Sequence, residues 1–231
     1  MAVVDIASNL KRLEAEIKSA AHDCGRDPTD IRLMAVSKTC SGDLVSKAVA
    51  AGHTLFGENR LQEAWEKIPQ VNQGGLCWHL IGPLQSNKAR RAVEIFDVIQ
   101  TLDRSRIARK VNQYAQEMDK ILPVFIQVNI GEEPQKHGLT PREVPGMVQL
   151  VDSLSCLNLE GLMALPPHSD EPEASRPYFR RLAELLNEIN LHRERPVKDL
   201  SMGMSHDYRI AIEEGATLIR VGTAIFGPRS T

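Results

Sequence analysis

Eight short apolar runs recur along the chain, and a stretch with helical spacing lies between each neighbouring pair. The runs are IRLMAVSK (31–38), TLFGEN (54–59), CWHLIG (77–82), DVIQTLD (97–103), PVFIQVNI (123–130), LNLEGLMAL (157–165), KDLSMGM (198–204) and TLIRVGTAIFG (217–227). Several of the intervening segments, from DLVSKAVAAG to DYRIAIEEG, begin beside Ser, Asp or Pro or end in Gly, the ordinary signals of helix termini. Regular strand–helix alternation points to an α/β architecture with parallel strands. Eight evenly spaced units favour closure into a (β/α)8 TIM barrel over a doubly wound open sheet, and 231 residues suit one such domain. No helical pattern follows the last run. Near the start of the chain, Ile6, Leu10, Leu13 and Ile17 recur at helical spacing. The expectation is therefore a single barrel domain over 1–231, with an extra N-terminal helix filling the vacant place on the outer ring.

Composition narrows the function. Apolar residues make up 42% of the chain, enough for a full core, and 28 basic residues against 30 acidic ones leave a net charge of −2. No global basic field invites nucleic acid or an anionic membrane. No apolar run reaches the roughly 18 residues of a membrane span. The N-terminus carries acids early and is helical in pattern, unlike a secretory signal. Cys24, Cys40, Cys77 and Cys156 are scattered without a C-x-x-C spacing, which predicts free thiols in a reducing cytoplasm and no zinc site. PPHSDEPEASRPYF (166–179), polar and proline-rich, reads as a mobile surface loop. GEEPQKHGLT, after the fifth run, is a second irregular connection.

In such barrels the working residues sit at the C-terminal ends of the strands. That rule selects Lys38, then Glu58 and Asn59, His79, Met163, Met204 and Ser205, and finally Arg220, Gly222 and Thr223. Phosphate is commonly held by the loops after strands seven and eight, helped by a helix N-terminus. Ser205 lies just before the helical DYRIAIEEG, Gly222 would let a phosphate approach the backbone, and Thr223 adds a hydroxyl. The structural alternatives are an N-cap serine and a packing glycine. Arg220 shares parity with Leu218 and Gly222; facing the interior, it needs a partner, and an ion pair with an acid such as Glu58 is the alternative to a ligand role. Lys38 shares parity with Met34 and Val36. A dry barrel mouth disfavours the ammonium, and a neutral amine attacks an aldehyde; otherwise the lysine snorkels to water. An amine for an aldehyde, a phosphate cradle and an arginine between them together suit pyridoxal 5′-phosphate (PLP).

AVSKT (35–39), FGENRLQE (56–63), WHLIGPLQSNKAR (78–90), GLMAL (161–165) and SMGMSHDYRIAIEEGATLIRVGTAIFG (201–227) resemble the pyridoxal-phosphate homeostasis proteins, the YggS/PROSC family, over almost the whole chain. The resemblance implies a barrel like the N-terminal domain of alanine racemase, with Lys38 as the Schiff-base lysine. It places Ser205, Gly222 and Thr223 at the phosphate, Arg220 at the pyridine nitrogen and Asn59 beside the ring, with Ser201, His79, Met163 and Met204 as neighbours. It matches Lys136 to a lysine in the family's loop after strand five, tied to cofactor capture or transfer. Many relatives continue SKT with a second lysine, where this chain has Cys40 and Ser41.

An arginine at the pyridine nitrogen cannot accept a hydrogen bond from it. The ring nitrogen then stays unprotonated, and the ring is a weak electron sink. Racemisation normally requires a base on each face of the substrate carbon. Alanine racemases draw their second base, a tyrosine, from a β-domain with no counterpart in these 231 residues, and Tyr208 alone among Tyr114, Tyr178 and Tyr208 lies near the expected mouth. The expectation is a monomeric, non-catalytic carrier that buffers PLP and passes it to apo-enzymes, with a low-activity amino-acid racemase as the alternative.

Overall fold

The computed structural model describes residues 4–71, 73–191 and 193–228. Strands β1 (Arg32–Val36), β2 (Leu55–Glu58), β3 (Cys77–Leu80), β4 (Val98–Leu102), β5 (Leu122–Val128), β6 (Leu157–Ala164), β7 (Asp199–Ser201) and β8 (Leu218–Val221) close into a parallel barrel in sequence order. Strand β1 pairs with both β2 and β8, and its register sets Met34 opposite Arg220 and Ala35 opposite Val221. Met34, Val98, Phe125, Met163 and Leu218 fill an apolar layer of the interior. Around the barrel run α1 (Ile6–Asp23), α2 (Gly42–Ala50), α3 (Leu61–Val71), α4 (Ala89–Ile95), α5 (Ser105–Glu117), α6 (Val144–Asp152), α7 (Arg176–Asn190), α8 (Tyr208–Glu213) and a single turn, α9 (Thr223–Phe226).

The N-terminal helix does close the ring. Asp5 starts α1 by accepting the Ser8 N–H at 3.0 Å, and Ile6, Leu10, Leu13 and Ile17 are all buried. Each such side chain contributes about 2 kcal/mol of apolar burial. The helix packs against α2, α8 and α9, so it occupies the gap that the last strand leaves. Asn9 Nδ2 donates to the Ile225 carbonyl at 2.9 Å, and the Tyr208 hydroxyl donates to Glu16.

Two expectations need correction. The last run is a strand only as far as Val221; Gly222 turns the chain and Thr223–Phe226 is helical. Apolarity alone did not distinguish the two, because Ile225 and Phe226 are buried as helix residues against the barrel. The segment 166–179 is not a single loop either. Pro172–Ser175 forms a 3₁₀ turn and α7 begins at Arg176, with Ser175 and Phe179 both buried. Proline in the first turn of a helix is well tolerated, and Pro177 sits there.

Candidate cofactor site

A cavity of about 410 Å3 opens at the C-terminal mouth of the barrel. Its walls bring together Lys38 and Val36 from the end of β1, Asn59 after β2, Met163 on β6, Met204 and Ser205 after β7, and Arg220, Gly222 and Thr223 from β8 and the turn beyond it. Ile81, Leu165, His168 and His206 complete the lining.

Lys38 is presented by a turn that is held from behind. The Ser37 N–H donates to Gly57 O at 3.1 Å, and the Cys40 N–H returns to Ser37 O at 3.0 Å. Thr39 adopts a left-handed φ of 63°, and its N–H donates to Glu63 Oε2 at 3.1 Å. On the outer side of the barrel, buried Lys67 donates to both Ser37 O and Glu58 Oε1 at 2.7 Å, while the Ser37 hydroxyl donates to the same Glu58 oxygen at 2.7 Å. Glu58 is fully buried and its Oε2 has no hydrogen-bond partner among the described residues. Burial lifts its carboxyl above the usual carboxylate range, opposed by Lys67 and Ser37.

The other walls are held just as firmly. Buried Asp207 accepts the Met204 N–H at 2.7 Å and the Ser175 hydroxyl at 3.0 Å, which fixes the loop carrying Ser205. Asp207, not Ser205, is the residue before α8, so the capping alternative for Ser205 falls. Among the described residues, neither the Ser205 nor the Thr223 hydroxyl spends itself on a protein partner. A Cβ on Gly222 would lie 3.1 Å from Val36 O, so the bare backbone both fits against β1 and leaves the cavity wall open. A Cβ on Gly82 would lie 1.9 Å from Asn59 O, so glycine there is what lets the β2 and β3 ends pack and Asn59 face the cavity.

Arg220 closes the floor. Its Nη1 donates to Ser201 Oγ at 2.6 Å and its Nη2 to Ala164 O at 2.8 Å. The Ser201 hydroxyl donates to Gln100 Oε1 at 2.7 Å, and Gln100 Nε2 meets His79 Nδ1 at 2.7 Å. Burial pushes the guanidinium down to about 10, which still leaves it charged at neutral pH, and pushes the His79 imidazole down to about 3, which leaves it neutral. The ion pair between Arg220 and Glu58, the alternative to a ligand role for Arg220, is not formed. Gly57 is the inward residue of β2, facing Met34, so Glu58 points outward to Lys67.

A model for the N-terminal domain of alanine racemase matches residues 8–230. The chain is 43% identical over 224 residues to a pyridoxal phosphate homeostasis protein of Pseudomonas aeruginosa, covering 97% of this chain and 96% of that one. The corresponding Escherichia coli protein is 41% identical over 228 residues, with 97% of each chain covered. The chain belongs to the pyridoxal phosphate homeostasis protein family. Among solved structures, PipY of Synechococcus elongatus with PLP bound superposes with a TM-score of 0.86 at 34% identity, over 96% of this chain and all of that one.

Eight of the ten residues that the resemblance brings to the site, Lys38, Asn59, Met163, Met204, Ser205, Arg220, Gly222 and Thr223, line the one cavity. His79 and Ser201 do not reach its wall; they lie beneath the floor, joined to it through Gln100 and Arg220. Gln100 was missed because nothing in DVIQTLD separates an interior glutamine from a rim one. His168 and His206, stacked with ring centroids 6.3 Å apart at the rim, were missed because both sit in connections. Lys136 is outside the cavity: it pairs with Glu133 and donates to Pro166 O at 2.9 Å, joining two rim connections. Tyr208 points away from the mouth, toward α1. Among the described residues no helix is long and apolar enough to cross a membrane.

Proposed function

We propose that this chain binds PLP in the mouth cavity and serves as a carrier that buffers the cofactor and passes it to apo-enzymes. The observation that carries the reading is the meeting, in one cavity, of a lysine amine, two unspent hydroxyls beside a bare glycine backbone, and a buried arginine with N–H groups to spare. That donor set fits an aldehyde, a phosphate and a ring nitrogen, respectively. Lys38 would hold the aldehyde covalently, Ser205, Gly222 and Thr223 would hold the phosphate, and Arg220, Asn59 and Met204 would hold the ring. His79 and Ser201 act through Arg220 by fixing its guanidinium. When bound, PLP supplies an electrophilic aldehyde and a conjugated ring. Arg220, which only donates, keeps a proton off the ring nitrogen and so weakens carbanion chemistry. The relative at 34% identity described as having PLP bound supports PLP as the ligand.

The test is spectroscopic. The purified chain loaded with PLP should show a visible band, and borohydride should fix the label on Lys38. A label on any other lysine overturns the assignment, as does an equal covalent yield in Lys38→Ala.

One observation favours a second reading. His168 and His206 line the cavity along with Lys38, so a proton-transfer group besides the lysine is present even though no tyrosine is. A low-activity amino-acid racemase would use it. Incubation with L-amino acids in deuterated water separates the two: deuterium at Cα with turnover, lost in a His168→Ala/His206→Ala variant, favours the racemase.

A further inference from the structure

A second cavity of about 560 Å3 opens on the same end of the barrel, and Asn59 belongs to the walls of both. Leu61, Leu80, Pro83 and Leu84 make it apolar, yet every charged group in its lining is basic. Arg60 comes from the end of β2, Lys88 from the turn after β3 and Arg104 from the residue before α5, so the fold gathers charges that are dispersed in the sequence. Two carboxylates touch these cations from outside the lining: Glu63 at 3.2 Å from Arg60 and Asp103 at 2.8 Å from Arg104. Lys88 has no ion pair among the described residues. Three permanent cations therefore face two acids, a local positive balance on a chain whose net charge is −2. The Arg104 guanidinium is further steadied by donating to Leu84 O at 3.2 Å.

We propose that this cavity is a second ligand site, for a small organic phosphate distinct from the cofactor at Lys38. The volume lies within the range of small-molecule sites, about 300–1,000 Å3. The apolar body would rest on Leu61, Leu80 and Leu84. The phosphate would take Lys88 and the two guanidinium forks, donors that match phosphate oxygens. The same geometry links the two cavities. Glu63 holds Arg60 with one oxygen and the Thr39 N–H, one residue past Lys38, with the other. A phosphate on Arg60 competes with Glu63 for the guanidinium, and the change is felt at the turn that presents Lys38. Such coupling is reciprocal, so cofactor loading alters the affinity of the second site. The coupling rests on the PLP reading; the site itself does not.

Phenyl phosphate is the probe, titrated calorimetrically into the full chain without cofactor. Wild type should bind saturably. Ser205→Ala/Thr223→Val, which removes the phosphate cradle of the cofactor cavity, should keep a saturable site, and adding Lys88→Ala/Arg104→Ala to it should weaken that site at least tenfold. Absence of binding in the cradle variant, or a remaining site insensitive to the added pair, overturns the site. Benzoate should bind the remaining site at least tenfold more weakly; equal binding overturns phosphate as the ligand class. Loading the cradle variant with PLP fixed by borohydride should shift the phenyl phosphate affinity of the remaining site at least threefold, and an unchanged affinity overturns the coupling. A normal visible band in Lys88→Ala/Arg104→Ala shows that the variant is folded. Failure of that band in wild type would refute the Lys38 reading without touching the binding result.

Discussion

Replacing Lys67 by methionine isolates the support behind the Lys38 turn. The ammonium lies 2.7 Å from Glu58 Oε1, with side-chain exposures of 7% and 0%. Without it, a fully buried carboxyl keeps only the Ser37 hydroxyl on one oxygen and nothing on the other. Breaking a buried pair from one side costs about 3–5 kcal/mol, a large share of the roughly 5–15 kcal/mol that holds a typical domain together. Glu58 has one escape, protonation. Burial already raises its carboxyl, and removal of the neighbouring cation raises it further. A carboxyl raised in the folded state contributes stability that is fully present below its unfolded value and lost as pH rises through the folded one. The deficit of Lys67→Met should therefore be large near pH 8 and smaller near pH 5. Urea unfolding at both pH values, with Glu58→Gln and the double variant completing a cycle, measures it. The double variant should recover about 2 kcal/mol of the single loss, because no buried charge remains. A Lys67→Met deficit below about 1 kcal/mol near pH 8, or one equal at the two pH values, would refute this account of the pair. Lys67→Met should also shorten cofactor retention, since Ser37 O loses its clamp.

Ser205→Ala and Thr223→Val should each weaken PLP retention by roughly tenfold, the worth of one hydrogen bond to a charged group, as followed by the visible band during dialysis. Unchanged retention in both would remove them from the phosphate. Gly82→Ala should cost about 1–3 kcal/mol by thermal unfolding and speed cofactor loss, because the new methyl displaces the Asn59 backbone. His79 is held at about 3 against 6.5 when free. Its contribution is thus present above 6.5 and drains as pH falls toward 3, at up to about 1.4 kcal/mol per pH unit. His79→Gln should flatten that part of the stability profile between pH 6 and 4; an unaltered slope would mean that the imidazole is not held neutral.

The barrel was legible because its signal is repetitive. Eight apolar runs survive an error at either end of any one of them, and Ile6, Leu10, Leu13 and Ile17 mark one face of a helix with little ambiguity. The end of the last run was not legible, because a one-turn helix pressed on the core is as apolar as a strand. At the site, strand-end placement found the residues that line the mouth. It could not rank Arg220 with Ser201 or Lys67, since partner choice depends on which way Glu58 faces, and that is set by Gly57 beside Met34. Gln100 stayed hidden for a related reason. All of β4 is buried, so no polar–apolar alternation reveals which of its residues faces the interior. His168 and His206 depend on how two connections fold over the rim, which local pattern does not encode.

The row of side chains under the cavity has a direction, and one residue sets it. Arginine has no lone pair to offer. Ser201 must therefore accept from it and turn its own hydrogen to the Gln100 carbonyl oxygen, which leaves the Gln100 amide nitrogen to donate and His79 Nδ1 to accept. The imidazole proton is consequently confined to Nε2. No link can be reversed without a guanidinium becoming an acceptor, so the row is an aligned set of dipoles and cannot work as a proton wire. Whatever atom meets Arg220 from above finds a donor that never takes a proton back, a floor suited to keeping a bound ring in one protonation state.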